Sequence, residues 1–240
     1  MFKLENLFGL ILLLGLSCTT LHVQIPQDAH ITGKKAVVTS FPGILNKDPI
    51  IFAPFRVSQI HVGWSTGRTK KHEQFKLTQS EAESSQEFQF ESQCDGLPMS
   101  AATQCKRRDQ SSEAATQSKI GTFSVGHSDR WTYCTFAVSG QAYELLVEST
   151  DSIEKGTLRT PQGTFVIEPV KESAEGTKTP WSLGYRFLAQ NRTLAVVQTS
   201  GERSFWYLED QSSEQKLALA TSAAALMIAE TQSSERSTNP

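Results

Sequence analysis

Cys18 is the residue of this chain best placed to do chemistry. It follows the apolar run Leu7–Leu16 (LFGLILLLGL) and Ser17. A thiol at the polar boundary of such a run meets the membrane surface, where it can be alkylated with diacylglycerol and become the first residue of a cleaved, acylated chain. Lys3 supplies a weakly positive start, partly offset by Glu5. The run has the length of an export-signal core and falls short of the about 20 residues a membrane-crossing helix needs. Leu14-Gly15-Leu16-Ser17-Cys18 resembles a bacterial lipobox, with Leu14 four residues ahead of the cysteine instead of three. Acylation there anchors firmly, because each buried CH₂ adds about 0.8 kcal/mol and two chains already suffice. The alternative is an ordinary secretory signal cleaved after Gly15-Leu16-Ser17, with Cys18 incidental. Both readings export the protein.

Other reactive residue types carry less. His22, His30, His61, His72 and His127 show no H-E-x-x-H or other paired spacing that would bind zinc. His127-Ser128-Asp129 holds the residue types of a hydrolase triad, but triad members come from separate elements and no G-x-S-x-G elbow is present. That tripeptide reads as a turn. Phosphate-cradling, dinucleotide-binding and calcium-loop motifs are absent from the sequence. Two basic clusters, Arg68-Thr69-Lys70-Lys71-His72 and Lys106-Arg107-Arg108, read as solvated loop charge, with anionic headgroups or cell-wall polymer as the functional alternative. Asn191-Arg192-Thr193 fits a glycosylation sequon, which has no role in a bacterial host. The residues therefore predict processing and structural sites, no catalytic residue, and no metal or other cofactor.

Cys94, Cys105 and Cys134 remain, and an oxidising compartment predicts one pair among them. Cys94 and Cys105 flank a short polar segment that could close as a surface loop, and this pairing is favoured. Cys134 alternates in phase with Phe136 and Val138, so it reads as a buried free thiol. Spacing alone does not set the connectivity.

Removal of 1–17 would leave about 220 residues, enough for one large domain. The net charge of −2 offers no general attraction to nucleic acid or anionic lipid. Residues 18–30 read as a tether and 31–230 as one β-rich domain. Short strand-like segments recur at 36–39, 49–52, 57–64, 74–77, 87–91, 121–125, 131–138, 142–147, 163–167, 184–188, 193–197 and 204–208, separated by turn residues. Such spacing predicts an antiparallel barrel or sandwich. Residues 95–119 are polar, carry a short duplication (AATQCK, AATQSK), and read as a mobile loop.

The end of the chain changes period. Ser212 and Gln215 form a capping box, and 216–229 (KLALATSAAALMIA) is rich in strong helix formers. The helix is apolar all round, which belongs in a core or a membrane. Its apolar part, Leu217–Ala229, is about 20 Å long, short for a span, and its alanines keep it slender. A barrel wrapped around it follows, with a β-sandwich carrying a packed helix as the alternative. From 231 onward a disordered tail is expected.

Tyr185-Arg186-Phe187-Leu188, the turn after it, Thr193-Leu194-Ala195-Val196-Val197, Phe205-Trp206-Tyr207-Leu208 with Glu209-Asp210, and the final helix together resemble the end of a tubby-like domain of the LURP-one and phospholipid-scramblase kind. That resemblance implies an antiparallel barrel around a hydrophobic C-terminal helix. Tubby domains bind phosphoinositide through a basic pocket, and no set of positions here matches it. The function expected is that of a non-enzymatic envelope lipoprotein, outer membrane favoured because Thr19 is not the Asp that retains many lipoproteins in the inner membrane. Its partners would be the bilayer, through acylated Cys18, and another envelope component. A carrier of lipid or a small ligand, or a secreted protein without lipid, are the alternatives.

Overall fold

A computed structural model describes residues 21–24, 34–39, 49–74, 77–118, 121–151 and 153–236. Cys18 and the signal-like run lie outside the described residues.

Thirteen strands follow one another among the described residues: β1 (Lys34–Val37), β2 (Ile50–Phe52), β3 (Phe55–Val62), β4 (Thr66–Gln74), β5 (Leu77–Cys94), β6 (Ser100–Ser118), β7 (Gly121–Val138), β8 (Gln141–Thr150), β9 (Ile153–Thr160), β10 (Gly163–Val170), β11 (Gly184–Ala189), β12 (Arg192–Gln198) and β13 (Ser204–Tyr207). The helix α1 (Ser213–Arg236) follows. Twelve strands run antiparallel in the order β1-β13-β12-β11-β10-β9-β8-β7-β6-β5-β3-β2. Two-residue turns set the register of two hairpins. Ser139-Gly140 and Gln190-Asn191 all take positive φ, as the twist of the flanking strands requires, and glycine and asparagine reach that region at least cost.

The sheet closes nearly completely between β1 and β2. Just past β1, the Thr39 amide donates to the Ile51 carbonyl at 2.9 Å. Phe52 and Phe55 meet Phe205 and Tyr207 across that seam with ring centroids 5.4–6.0 Å apart. α1 fills the interior: every residue from Leu217 to Ala229 is buried, packed against inward residues of β3, β5, β6, β7, β12 and β13. Thr221 and Ser222 tolerate that apolar surround because their hydroxyls donate to the Leu217 and Ala218 carbonyls at 2.8 and 2.9 Å. Ser212 caps the helix, its Oγ accepting the Gln215 amide at 3.2 Å. The architecture is thus the expected antiparallel barrel around a C-terminal helix, and the sandwich alternative does not hold.

Three expectations change. Most of the expected loop at 95–119 is β6, a 19-residue strand (Ser100–Ser118) in register with β5 and β7. Its inward residues in the barrel (Ala101, Thr103, Cys105, Arg107) are small or polar, so the apolar half of the alternation is missing from the sequence. The tail does not begin at 231, because α1 runs on to Arg236. The expected tether is docked over 21–24: Gln198 binds both the Val23 amide (3.2 Å) and the Leu21 carbonyl (3.1 Å). Val23 is buried there in a small cluster with Val170, Leu183, Val196 and Trp206.

β4 lies off the barrel path. It pairs with Leu77–Ser85 of β5, while β3 pairs with Phe88–Cys94 of the same strand. β4 and the distal halves of β5, β6 and β7 therefore form a four-stranded ribbon that projects from the barrel rim. The barrel halves of β5, β6 and β7 bury alternate residues, whereas the ribbon halves are exposed or half-buried.

Candidate functional site

Where the ribbon leaves the rim, the inward face of the sheet turns from apolar to charged. Arg107 sits at that boundary, 2 % exposed. Its position on β6 puts the guanidinium beside the last buried turn of α1, where it donates to the Ala229 carbonyl. Ala229 lies seven residues before the end of α1, so the guanidinium bonds a carbonyl on the flank of the helix. Arg107 also donates to both carboxylate oxygens of Asp109, through Nε at 3.0 Å and a terminal nitrogen at 2.9 Å.

The β6–β7 register sets Arg130 directly opposite Asp109, and its Nε donates at 2.9 Å. Arg130 reaches Glu230 of α1 at 3.7 Å. Burial pushes the Asp109 carboxyl up, but the hydrogen bonds and charges of Arg107 and Arg130 outweigh it and hold the group below the usual range. Tyr185 completes the floor, donating to Glu154 at 2.5 Å and to Glu230 at 3.3 Å. Burial and those two carboxylates raise its hydroxyl well above the ordinary value, so it stays a donor. The second Glu154 oxygen accepts from Ser182 Oγ.

Above this floor opens a cleft of about 1160 Å³. One wall is the ribbon, which offers Gly67, Thr69, Ala82, Ser84, Ser111 and Ser128. The opposite wall is the rim segment carrying Lys171, Pro180, Trp181 and Ser200. His127 lies at the ribbon edge. Its Nδ1 is 2.8 Å from Asp151 and its Nε2 3.1 Å from Asp129. Hydrogen bonding to Asp151, with the charge of Asp129, raises the imidazole above its ordinary value.

The tripeptide His127-Ser128-Asp129 is thus strand and not turn. Both ring nitrogens are held by carboxylates, so neither can take a proton from Ser128, and the three residues do not make a hydrolytic triad. Among the described residues no group of histidine, cysteine and carboxylate side chains is arranged to hold a metal ion.

The cysteine expectation needs correction. Cys105 is disulfide-bonded to Cys134, its direct partner across β6 and β7, with Cα atoms 4.1 Å apart. Cys94 is buried and free. The register puts Cys105 opposite Phe88, six residues along β5 from Cys94, or about 20 Å at the rise of a strand. A disulfide spans less than about 7 Å between Cα atoms, so the favoured Cys94–Cys105 pair is geometrically excluded. Cys134 does face the core, as its alternation implies.

The two basic clusters part company. Arg68, Lys70, Lys71 and His72 lie on β4, an exposed strand. Lys106 and Arg108 make surface ion pairs with Glu87 and Glu83, while Arg107 between them is buried in the cleft floor. Arg107, Arg130, Tyr185 and Glu230 were not legible as a site, because they come from three strands and a helix that only the barrel brings together. Asn191 occupies the β11–β12 turn. No protein-family model, curated protein or solved structure matches the chain.

Proposed function

We propose that this chain is an exported lipoprotein, anchored through acylated Cys18 in a bacterial envelope and favouring the outer membrane, that acts by binding another envelope component and not by catalysis. The observation that carries the binding reading is the position of α1. With Leu217–Ala229 occupying the barrel interior, a ligand must be received outside it, and the open polar cleft at the rim is a recess available for that. The same filling argues against a carrier that holds lipid inside the barrel. The Cys105–Cys134 disulfide supports export, since such bonds persist in oxidising compartments. The barrel on a C-terminal helix supports kinship with the tubby-like fold, whose phosphoinositide pocket is not carried over.

Anchoring would also orient the cleft. Leu21 is held to the barrel wall, and the three residues back to Cys18 reach at most about 10 Å. Gln24 bonds to Glu172 and His22 to Ala174, next to the Lys171 rim of the cleft. The opening would stand close to the bilayer. Intact mass and detergent partitioning, compared with Cys18→Ala, test the anchor. A mature chain starting at Cys18 with acyl mass, lost in the variant, is expected. An unmodified, water-soluble product from both forms would leave a secreted protein without lipid.

A further inference from the structure

We propose that the rim cleft binds a saccharide chain, with Trp181 as the surface on which a sugar ring stacks; this rests on the binding reading above and names its ligand class. Among the described residues the cleft walls contain no Leu, Ile, Val, Phe or Met, which removes the apolar lining that acyl chains and most small hydrophobic ligands require. Six carboxylates and four cations line it. Several neutralise one another, as Asp109 does with Arg107 and Arg130. A polyanion such as nucleic acid would meet net negative charge and is disfavoured. The paired charges and the serine and threonine hydroxyls suit a neutral, hydroxyl-bearing ligand. Sugar hydroxyls both donate and accept, matching serine, threonine and carboxylate oxygens on one side and guanidinium groups on the other.

Trp181 supplies the complementary apolar contact. It is 61 % exposed on the cleft wall, beside Pro180. Its backbone is pinned from both sides: Thr179 Oγ1 donates to the Trp181 carbonyl at 2.6 Å, and Ser182 Oγ donates to Glu154. Leu183 follows, its amide donating to the Val170 carbonyl at 2.8 Å. A large indole held in water on a fixed backbone loses little freedom when a ring with an apolar C–H face settles on it. The ribbon contributes small residues to the lining at Gly67, Thr69, Ala82, Ser84, Ser111 and Ser128, interleaved with the polar Arg68, Glu83, Gln110 and Asp129, which can hydrogen-bond a ring's hydroxyls. About 1160 Å³ exceeds the roughly 300–1,000 Å³ of ordinary small-molecule pockets and suits an oligomer.

The test is retention of the full chain on an array of neutral and amino-sugar oligosaccharides that includes glucose and N-acetylglucosamine tetramers. Calorimetric titration with the retained tetramer follows, for wild type, Trp181→Ala and Ala82→Trp. Saturable binding is expected, weakened about tenfold or more by losing the indole and by filling the cleft from the facing wall. Trp181→Ala should keep its thermal midpoint, because the side chain is exposed. No saturable binding to any glycan, or binding indifferent to both substitutions, overturns the proposal. Capture of a polar peptide with the same dependence on Trp181 also overturns it, yet leaves the binding module standing. Detergent partitioning reports the anchor separately from either result.

Discussion

Cys105 and Cys134 are 29 residues apart in sequence and direct neighbours across two strands, so the chain needs only its barrel register to join them. For a loop of that length the chain-entropy relation puts the contribution at about 3–4 kcal/mol. Replacing both cysteines by alanine is expected to lower unfolding free energy by about that amount in urea titrations. A non-reducing peptide map should link Cys105 to Cys134, with Cys94 taking iodoacetamide only after denaturation. Burial raises the Cys94 thiol and hides it; a Cys94–Cys105 peptide would refute the register. His127 carries a different prediction. Its folded pKa is raised above 6.5, first by the hydrogen bond to Asp151 and then by the charge of Asp129. Its stabilisation is therefore fully present below that ordinary value and lost as pH rises through the folded one. The wild-type unfolding midpoint should fall relative to His127→Gln as pH rises above the ordinary imidazole value, and a parallel course of the two curves would dismiss the pair. The effect is small because the site is exposed and screened.

At the scale of elements, the helix and the strands facing it explain each other. An alanine-rich α1 leaves room only for a narrow barrel, and the inward side chains of β6 stay small or polar where it packs. Ala224 is fully buried on α1. Ala224→Phe is expected to cost about 3 kcal/mol through overpacking, whereas Gln79→Ala in the exposed ribbon should move stability by less than about 0.5 kcal/mol. Urea midpoints with unchanged slopes check both. The same geometry explains why β6 and β9 escape a sequence reading. Both put small residues where apolar ones mark a strand: Ala101 and Cys105 on β6, and Gly156 on β9. A Cβ on Gly156 would come within 2.7 Å of the Leu146 carbonyl oxygen and 2.8 Å of Val147. Absence of an apolar beat here reflects crowding by neighbours and not irregular structure.

For the whole molecule, local patterns determined the class of architecture. Period-two alternation in Phe88-Gln89-Phe90 or Trp131–Val138 encodes half-buried strands, and the Ser212 cap with an all-apolar run encodes a buried helix. These signals are local because each depends on residues within a few positions of one another. The apolar run before Cys18 is equally local and predicts export by itself. The tertiary structure decided everything that joins distant segments. It chose Cys134 over Cys94 as the partner of Cys105. It also turned one arginine of a basic triplet inward to bind the Ala229 carbonyl of α1, folded a polar stretch into a ribbon, and docked Val23 on the barrel. Strand register makes these choices: it is set by the summed fit of many side chains around a closed barrel, a quantity no short window of sequence contains.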